Sequence, residues 1–227
     1  VPAPDGYRGR FRRDDPRYVE RYAECFDNAI ASLDARGFAP AAFYLDPLLC
    51  SDGLMIPPPG YPAAAFGKVR AAGGLCVADE VQSGFGRTGD HFWGFEGHEV
   101  IPDIVTLGKP IGNGLSMAAV VTTPAIVASL MEETDFFSTT GGNPVSCAVG
   151  LAVLDVLQQE RLQECAARVG AKLRSQIEEL AERHPLIGEV RGAGLLIGVD
   201  WVRDRATRQT ATGPAAAVGN SLRTLGE

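Results

Sequence analysis

Leu75-Cys76-Val77-Ala78 places four apolar side chains in succession after Gly74, without polar alternation, and the run closes on Asp79-Glu80. Such a run needs apolar cover on both faces, the situation of an inner strand in a parallel sheet. It predicts an α/β chain. Similar runs at Ala41 to Leu45, Ile104 to Leu107 and Met117 to Thr122 predict further strands, and the helical pattern from about Pro62 to Ala72 sits between two of them. Ligands of open α/β sheets bind outside the carboxyl ends of the strands, where Asp79 and Glu80 fall.

Upstream, Asp15-Pro16 offers an N-cap and first-turn pair for a helix carried by Val19, Tyr22, Phe26, Ile30 and Leu33 and ended by Gly37. Pro57-Pro58-Pro59-Gly60 marks a loop. Asn143-Pro144 offers a second cap pair, before an apolar helix through Val145, Val149, Val153 and Leu157. A more amphipathic helix is predicted from about Leu162 to Arg183, then a strand over Gly194 to Val202 and a polar connection over Arg203 to Thr212. The pattern changes near residues 150 to 165, so the expected division is a large domain over 1–155 and the start of a smaller α+β domain over 156–227.

The formal net charge of −7 gives no basic field for a phosphate backbone, so nucleic acid is not an expected partner. No apolar run approaches the roughly twenty residues that span a bilayer, and Val1 to Asp5 lack the features of a signal peptide. A cytoplasmic location and no membrane partner are expected. The five cysteines (Cys25, Cys50, Cys76, Cys147, Cys165) are scattered without a C-x-x-C pair, and His91, His98 and His184 do not cluster with them. Free, mostly buried thiols and no metal site are predicted. A Pro-rich start without Met, and an end just past a helix-like stretch, lead us to expect a piece of a longer protein.

The chain has three lysines, and Lys68 and Lys172 lie in helices where a solvated role is ordinary. Lys109 differs, because it follows the strand Ile104 to Leu107 through Gly108 and precedes the turn-rich Pro110-Ile111-Gly112-Asn113-Gly114. A strand-end lysine removed from water can lose its proton and attack a carbonyl, although a structural lysine is the simpler reading of that residue alone. Asp79 completes a chemistry, since a carboxylate that keeps a pyridine nitrogen protonated deepens the electron sink of a pyridoxal Schiff base. By itself it would be read as a turn acid.

Leu75-Cys76-Val77-Ala78-Asp79-Glu80-Val81-Gln82-Ser83-Gly84-Phe85-Gly86-Arg87-Thr88-Gly89, followed by Asp103-Ile104-Val105-Thr106-Leu107-Gly108-Lys109, resembles the class III aminotransferase signature. The likeness extends to Ile56 to Tyr61 and Thr139 to Pro144. It implies a fold-type I transferase dependent on pyridoxal 5'-phosphate (PLP), with a mixed, mostly parallel sheet flanked by helices and part of a smaller C-terminal α+β domain. By the same resemblance Lys109 would bind the cofactor covalently, Asp79 would pair with the ring nitrogen, Val81 would pack on the ring face and Gln82 would reach the ring hydroxyl. Thr139 matches the threonine that binds the cofactor phosphate of the other subunit, which implies a homodimer. The reaction implied is transfer of an amino group between an amine or amino acid and a 2-oxo acid.

Gly84-Phe85-Gly86-Arg87-Thr88-Gly89 also fits G-x-G-x-x-G after a strand. Dinucleotide binding fails on context, because His91-Phe92-Trp93-Gly94-Phe95 is a poor helix start and no second strand ends in an acid at the expected interval. Pro4 to Gly9 and Asn143 to Gly150 are most similar to the branch of alanine–glyoxylate aminotransferase 2-like proteins and ethanolamine-phosphate phospho-lyases, so phosphate elimination from a phosphorylated amine is the alternative reaction. The chain departs from the family at Asp46-Pro47-Leu48-Leu49-Cys50-Ser51, where many members have Glu-Pro and some a gating glutamate at the place of Ser51. A third reading is a non-catalytic remnant that keeps the fold; the intact Asp79, Gln82, Lys109 and Thr139 speak against decay.

Overall fold

In the computed structural model, which describes residues 1–226, β1 (Ala42–Leu45), β2 (Leu75–Asp79), β3 (Ile104–Leu107) and β4 (Ala119–Thr122) form one sheet in that order. The first three strands are parallel and β4 runs antiparallel to β3. The α/β sheet expected from the apolar runs is thus present, and it is mixed and mostly parallel as the family resemblance implied. β2 is closed on both faces, with Cys76, Val77 and Ala78 at 0%, 1% and 1% exposure. Its flanks differ from the expectation of full cover: Tyr44 on β1 and Val120 on β4 are 67% and 65% exposed.

The crossover from β1 to β2 contains α2 (Tyr61–Ala71), which packs on both strands, and α1 (Tyr18–Asp34) packs on α2. Tyr22 and Phe26 of α1 meet Tyr61, Phe66 and Val69 of α2 over Leu45 and Cys76, and the rings of Phe26 and Phe43 meet edge-on at 4.8 Å. Asp15 does not cap α1. Its Oδ1 accepts from the Arg17 nitrogen at 2.9 Å in a turn, and the helix begins only at Tyr18. Its end falls where expected, since Gly37 takes φ 77° and the nitrogens of Gly37 and Phe38 donate to the carbonyls of Asp34 and Leu33.

Beyond β4 the chain forms α3 (Pro124–Glu133), α4 (Pro144–Gln159) and α5 (Leu162–Arg183). Asn143 does cap α4, accepting from the Ser146 nitrogen at 2.9 Å. The helix α3 was not anticipated, although Thr123-Pro124 repeats the cap-and-proline pairing of Asn143-Pro144. A second, antiparallel sheet follows, of β5 (Ile187–Ala193), β6 (Leu196–Asp204) and β7 (Gln209–Thr210), against which α5 and α6 (Thr212–Leu225) pack. The expected strand at Gly194 to Val202 is β6, displaced by two residues, while β5 is new and β7 lies in the supposed polar connection. Gly194-Leu195 is the two-residue turn between β5 and β6.

Candidate active site

The carboxyl ends of β1, β2 and β3 lie side by side, and the chain turns at each into a segment rich in polar or left-handed residues. Asp79 closes β2 opposite Thr106 of β3, and its Oδ1 accepts from the Val81 nitrogen at 3.0 Å. That turn carries Val81 across to the end of β3: a Cβ added to Gly108 would stand 3.4 Å from Val81 Cγ1. Val81 thus lies in van der Waals reach of Gly108, the residue before Lys109. Gln82 donates through Nε2 to Ser51 Oγ at 3.2 Å, which joins the end of β2 to the loop after β1.

Lys109 opens a single 3-10 turn, Lys109–Gly112, with φ 37°. Pro110 does not account for this, because the residue before a proline is driven toward extended backbone with negative φ. A non-glycine residue in the left-handed region costs about 1–3 kcal/mol and persists where its surroundings hold it. The lysine side chain is exposed. This corrects the supposition that the strand end would take it out of water: the turn packs on α4 and buries Ile111 and Gly112, while Lys109 itself stays exposed.

Asp79, Val81, Gln82 and Lys109 are thus gathered about the ends of β2 and β3. Thr139 is not. It lies in the exposed stretch between α3 and α4, where the side-chain hydrogen bonds are local, from Gly141 N to Ser138 Oγ and from Asn143 Nδ2 to the Thr140 carbonyl.

Three supports of the site escaped the sequence. Glu80 is fully buried, and its carboxylate accepts from Ser83 Oγ, Gly94 N and Phe95 N, all at 2.8 Å. Burial pushes its carboxyl above the ordinary range, against the pull of those three donors and with a further push from Asp46. Asp46 accepts from the nitrogens of Leu48 and Cys50, fixing the turn after β1. His98 is tied to the turn after β1: its Nε2 lies 2.7 Å from the Pro47 carbonyl, so that nitrogen carries the proton. Burial lowers the His98 pKa, opposed by the bond to Pro47 and assisted by His91.

The glycine-rich stretch after β2 packs against protein. A Cβ on Gly89 would come within 2.6 Å of the Ala167 backbone of α5, one on Gly86 within 2.9 Å of Gln163, and the Arg87 carbonyl accepts from Leu195 N at 3.0 Å. These glycines serve close approach to α5 and to the β5–β6 turn. Among the thiols only Cys76 is buried; the other four are half-buried, a looser arrangement than predicted.

The sequence model described as aminotransferase class-III matches residues 3–227. The chain belongs to that family. Over 223 residues it is 46% identical to alanine–glyoxylate aminotransferase 2 homolog 2, mitochondrial, of Arabidopsis thaliana, covering 98% of this chain and 45% of the relative. It is 46% identical to the human mitochondrial alanine–glyoxylate aminotransferase 2 over 186 residues, covering 82% and 36%. Among solved structures, a phospholyase from Arthrobacter in complex with phosphoethanolamine superposes with a TM-score of 0.85 at 43% identity, covering 93% of this chain and 49% of that one. The chain spans less than half the length of each of these proteins. The family's cofactor is PLP, and its fold is type I, as the signature implied. The cytoplasmic location expected above is corrected by the relatives, which are named as mitochondrial. That expectation rested on the first five residues and on the lack of a long apolar run, neither of which bears on a leader in a chain of this span.

Proposed function

We propose that the parent protein is a PLP-dependent aminotransferase that moves an amino group between an amine or amino acid and a 2-oxo acid, with Lys109 as the residue that carries the cofactor. The observation behind this reading is the convergence of Asp79, Val81, Gln82 and Lys109 at two adjacent parallel strand ends, in a class III chain. As a donor set they suit the cofactor: a carboxylate for the ring nitrogen, an apolar branch for the ring face, an amide for the ring hydroxyl and a primary amine for the carbonyl. PLP held there would supply a sink for the electron pair left when a substrate C–H is broken.

The remaining work belongs to the chain. The Asp79 carboxylate keeps a proton on the ring nitrogen, and the turn it makes with Val81 N holds one oxygen in place. Lys109 Nζ takes the proton from the substrate carbon and returns it. Val81 keeps water from one ring face, and Gln82 Nε2 donates to the ring hydroxyl oxygen. Thr139, in the exposed stretch between α3 and α4, serves the phosphate of a partner subunit, so the active unit is a homodimer. Residues 1–155 form part of the cofactor-binding domain and 156–227 the start of the smaller one, with the boundary inside α4.

Phosphate elimination is a second reading, favoured by the likeness to the Arthrobacter phospholyase bound to phosphoethanolamine. The full-length protein decides between the two. Absorbance with PLP, borohydride fixation and peptide mapping are expected to label Lys109; label on Lys68 or Lys172, or none, would reject the cofactor reading and leave the non-catalytic alternative. Pyruvate formed from alanine and glyoxylate would mark amino transfer, and phosphate released from phosphoethanolamine would mark the lyase.

A further inference from the structure

The loop after β1 is backbone-strained and clamped from the second sheet. Leu49, Gly53 and Leu54 take φ of 45°, 108° and 58°, two of them non-glycine residues in the left-handed region. Such conformations persist when their surroundings over-determine them. At one end of the loop Asp46 binds the nitrogens of Leu48 and Cys50. At the other, Arg191 of β5 donates through Nε and Nη2 to the Gly53 carbonyl at 3.1 and 2.8 Å, and through Nε to the Leu54 carbonyl at 3.0 Å.

The guanidinium is itself fixed. Its Nη1 lies 2.9 Å from Glu189 and 3.0 Å from Asp200, and Arg8 binds the same Asp200 oxygen at 2.8 Å. Asp200 is 3% exposed and Arg191 16%, so neither is a solvated surface charge. Between the two clamps sits Ser51, whose hydroxyl accepts from Gln82 Nε2 at 3.2 Å. A rigid fork that serves two carbonyls and two carboxylates at once is a task for arginine rather than lysine.

We propose that Arg191 is a positioning residue for the cofactor end of the site: it holds the 49–54 loop so that Ser51 orients the Gln82 amide. The proposal rests on the reading of Gln82 as a cofactor ligand. It assigns a role in that site to the second sheet, which contributes no other candidate residue.

The test uses the full-length protein loaded with PLP, and it reads the absorbance band of the bound cofactor, its dissociation constant and the unfolding midpoint of the apoprotein. Arg191→Lys keeps a cation between Glu189 and Asp200 but cannot reproduce the fork, and Ser51→Ala removes only the hydroxyl. Each is expected to displace the band in the same direction and to weaken cofactor binding about fivefold, the worth of one hydrogen bond. The double variant should do no more than the larger single one, because both act through Gln82. An R191K protein with the wild-type band and affinity, even if less stable, would overturn the proposal, since a merely structural tie moves only the midpoint. So would multiplying effects in the double variant, or an S51A protein indistinguishable from wild type. If the wild-type protein forms no band on Lys109, the assignment of the site fails first, and that result is distinct from any change confined to the variants.

Discussion

Glu80 Oε2 lies 2.8 Å from the backbone nitrogen of Gly94, fourteen residues further along the chain, and the bond is wholly inside the protein. With Phe95 N and Ser83 Oγ it makes the carboxylate the pin of the segment that leaves β2. Glu80→Ala strands three donors, two of them buried, and is expected to lower stability by about 3 kcal/mol; Glu80→Gln, which keeps one acceptor oxygen, should lose less. The pH dependence has a definite sign. Burial raises the folded-state pKa above its ordinary 4.5, so the folded protein holds this proton more tightly than the unfolded chain. The contribution of Glu80 is therefore fully present below the unfolded value and lost as pH rises through the folded one. In urea titrations, the stability of wild type minus that of E80Q should shrink from about pH 4 upward; a difference that grows with pH would contradict the assignment.

Gly170 of α5 is pressed against Gly194 in the β5–β6 turn, and a Cβ on either would overlap backbone: the Gly194 carbonyl in one case, Arg87 and Thr88 in the other. Gly170→Ala cannot be absorbed by a side-chain shift and should cost about 3 kcal/mol. Gly67 supplies the contrast, exposed in α2 with nothing within 4 Å of an added Cβ. Gly67→Ala should raise stability by about 0.5–1 kcal/mol through helix propensity. Thermal unfolding of the two variants side by side checks both signs.

What could be seen in advance follows the range of the interactions. β3 and α5 fall on their predicted residues because an unbroken apolar run and a long 3.6-residue period are local signals. β5 carries Gly188, Glu189, Arg191 and Gly192, which read as loop, and besides pairing with each other its two charges find partners in other elements, at Arg13, Gly53, Leu54 and Asp200. Lys109 and Asp79 were legible because each sits one or two residues past an obvious apolar run. Glu80 stood beside Asp79 in the same signature, yet its role depends on Gly94 and Phe95, and no local pattern announces that pairing. Asp15-Pro16 and Thr123-Pro124 show the converse: similar pairs, of which only the second opens a helix where it stands, since Asp15 spends its side chain on a turn at Arg17.

His98 and Pro47 give a second titration with the opposite sense to that of Glu80. Burial lowers the histidine pKa below its ordinary 6.5, outweighing the bond to the Pro47 carbonyl. A base with a depressed folded-state pKa contributes stability above the unfolded value and loses it as pH falls through the folded one. Wild type should weaken between about pH 7 and pH 5, and His98→Gln should flatten that part of the profile. Equal slopes in the two proteins would show that His98 does not titrate with folding.

Asp79 offers the cleanest separation of charge from shape. Its Oδ1 accepts from Val81 N at 3.0 Å, a bond that an asparagine oxygen can make equally well, and the side chain is only half-buried. Asp79→Asn should therefore fold with an unchanged midpoint and leave the Val81 turn intact. It removes the negative charge assigned to the ring nitrogen, and a carboxylate near a cation is worth roughly 1–3 pKa units. At neutral pH a loss of two units leaves the nitrogen mostly unprotonated, so the turnover of the full-length protein should fall on the order of a hundredfold while borohydride still fixes PLP to Lys109. Retained labelling with lost turnover is the pattern expected of a residue that tunes the cofactor. Full turnover in D79N would remove Asp79 from the mechanism, and lost labelling with an intact midpoint would make it a binding residue instead.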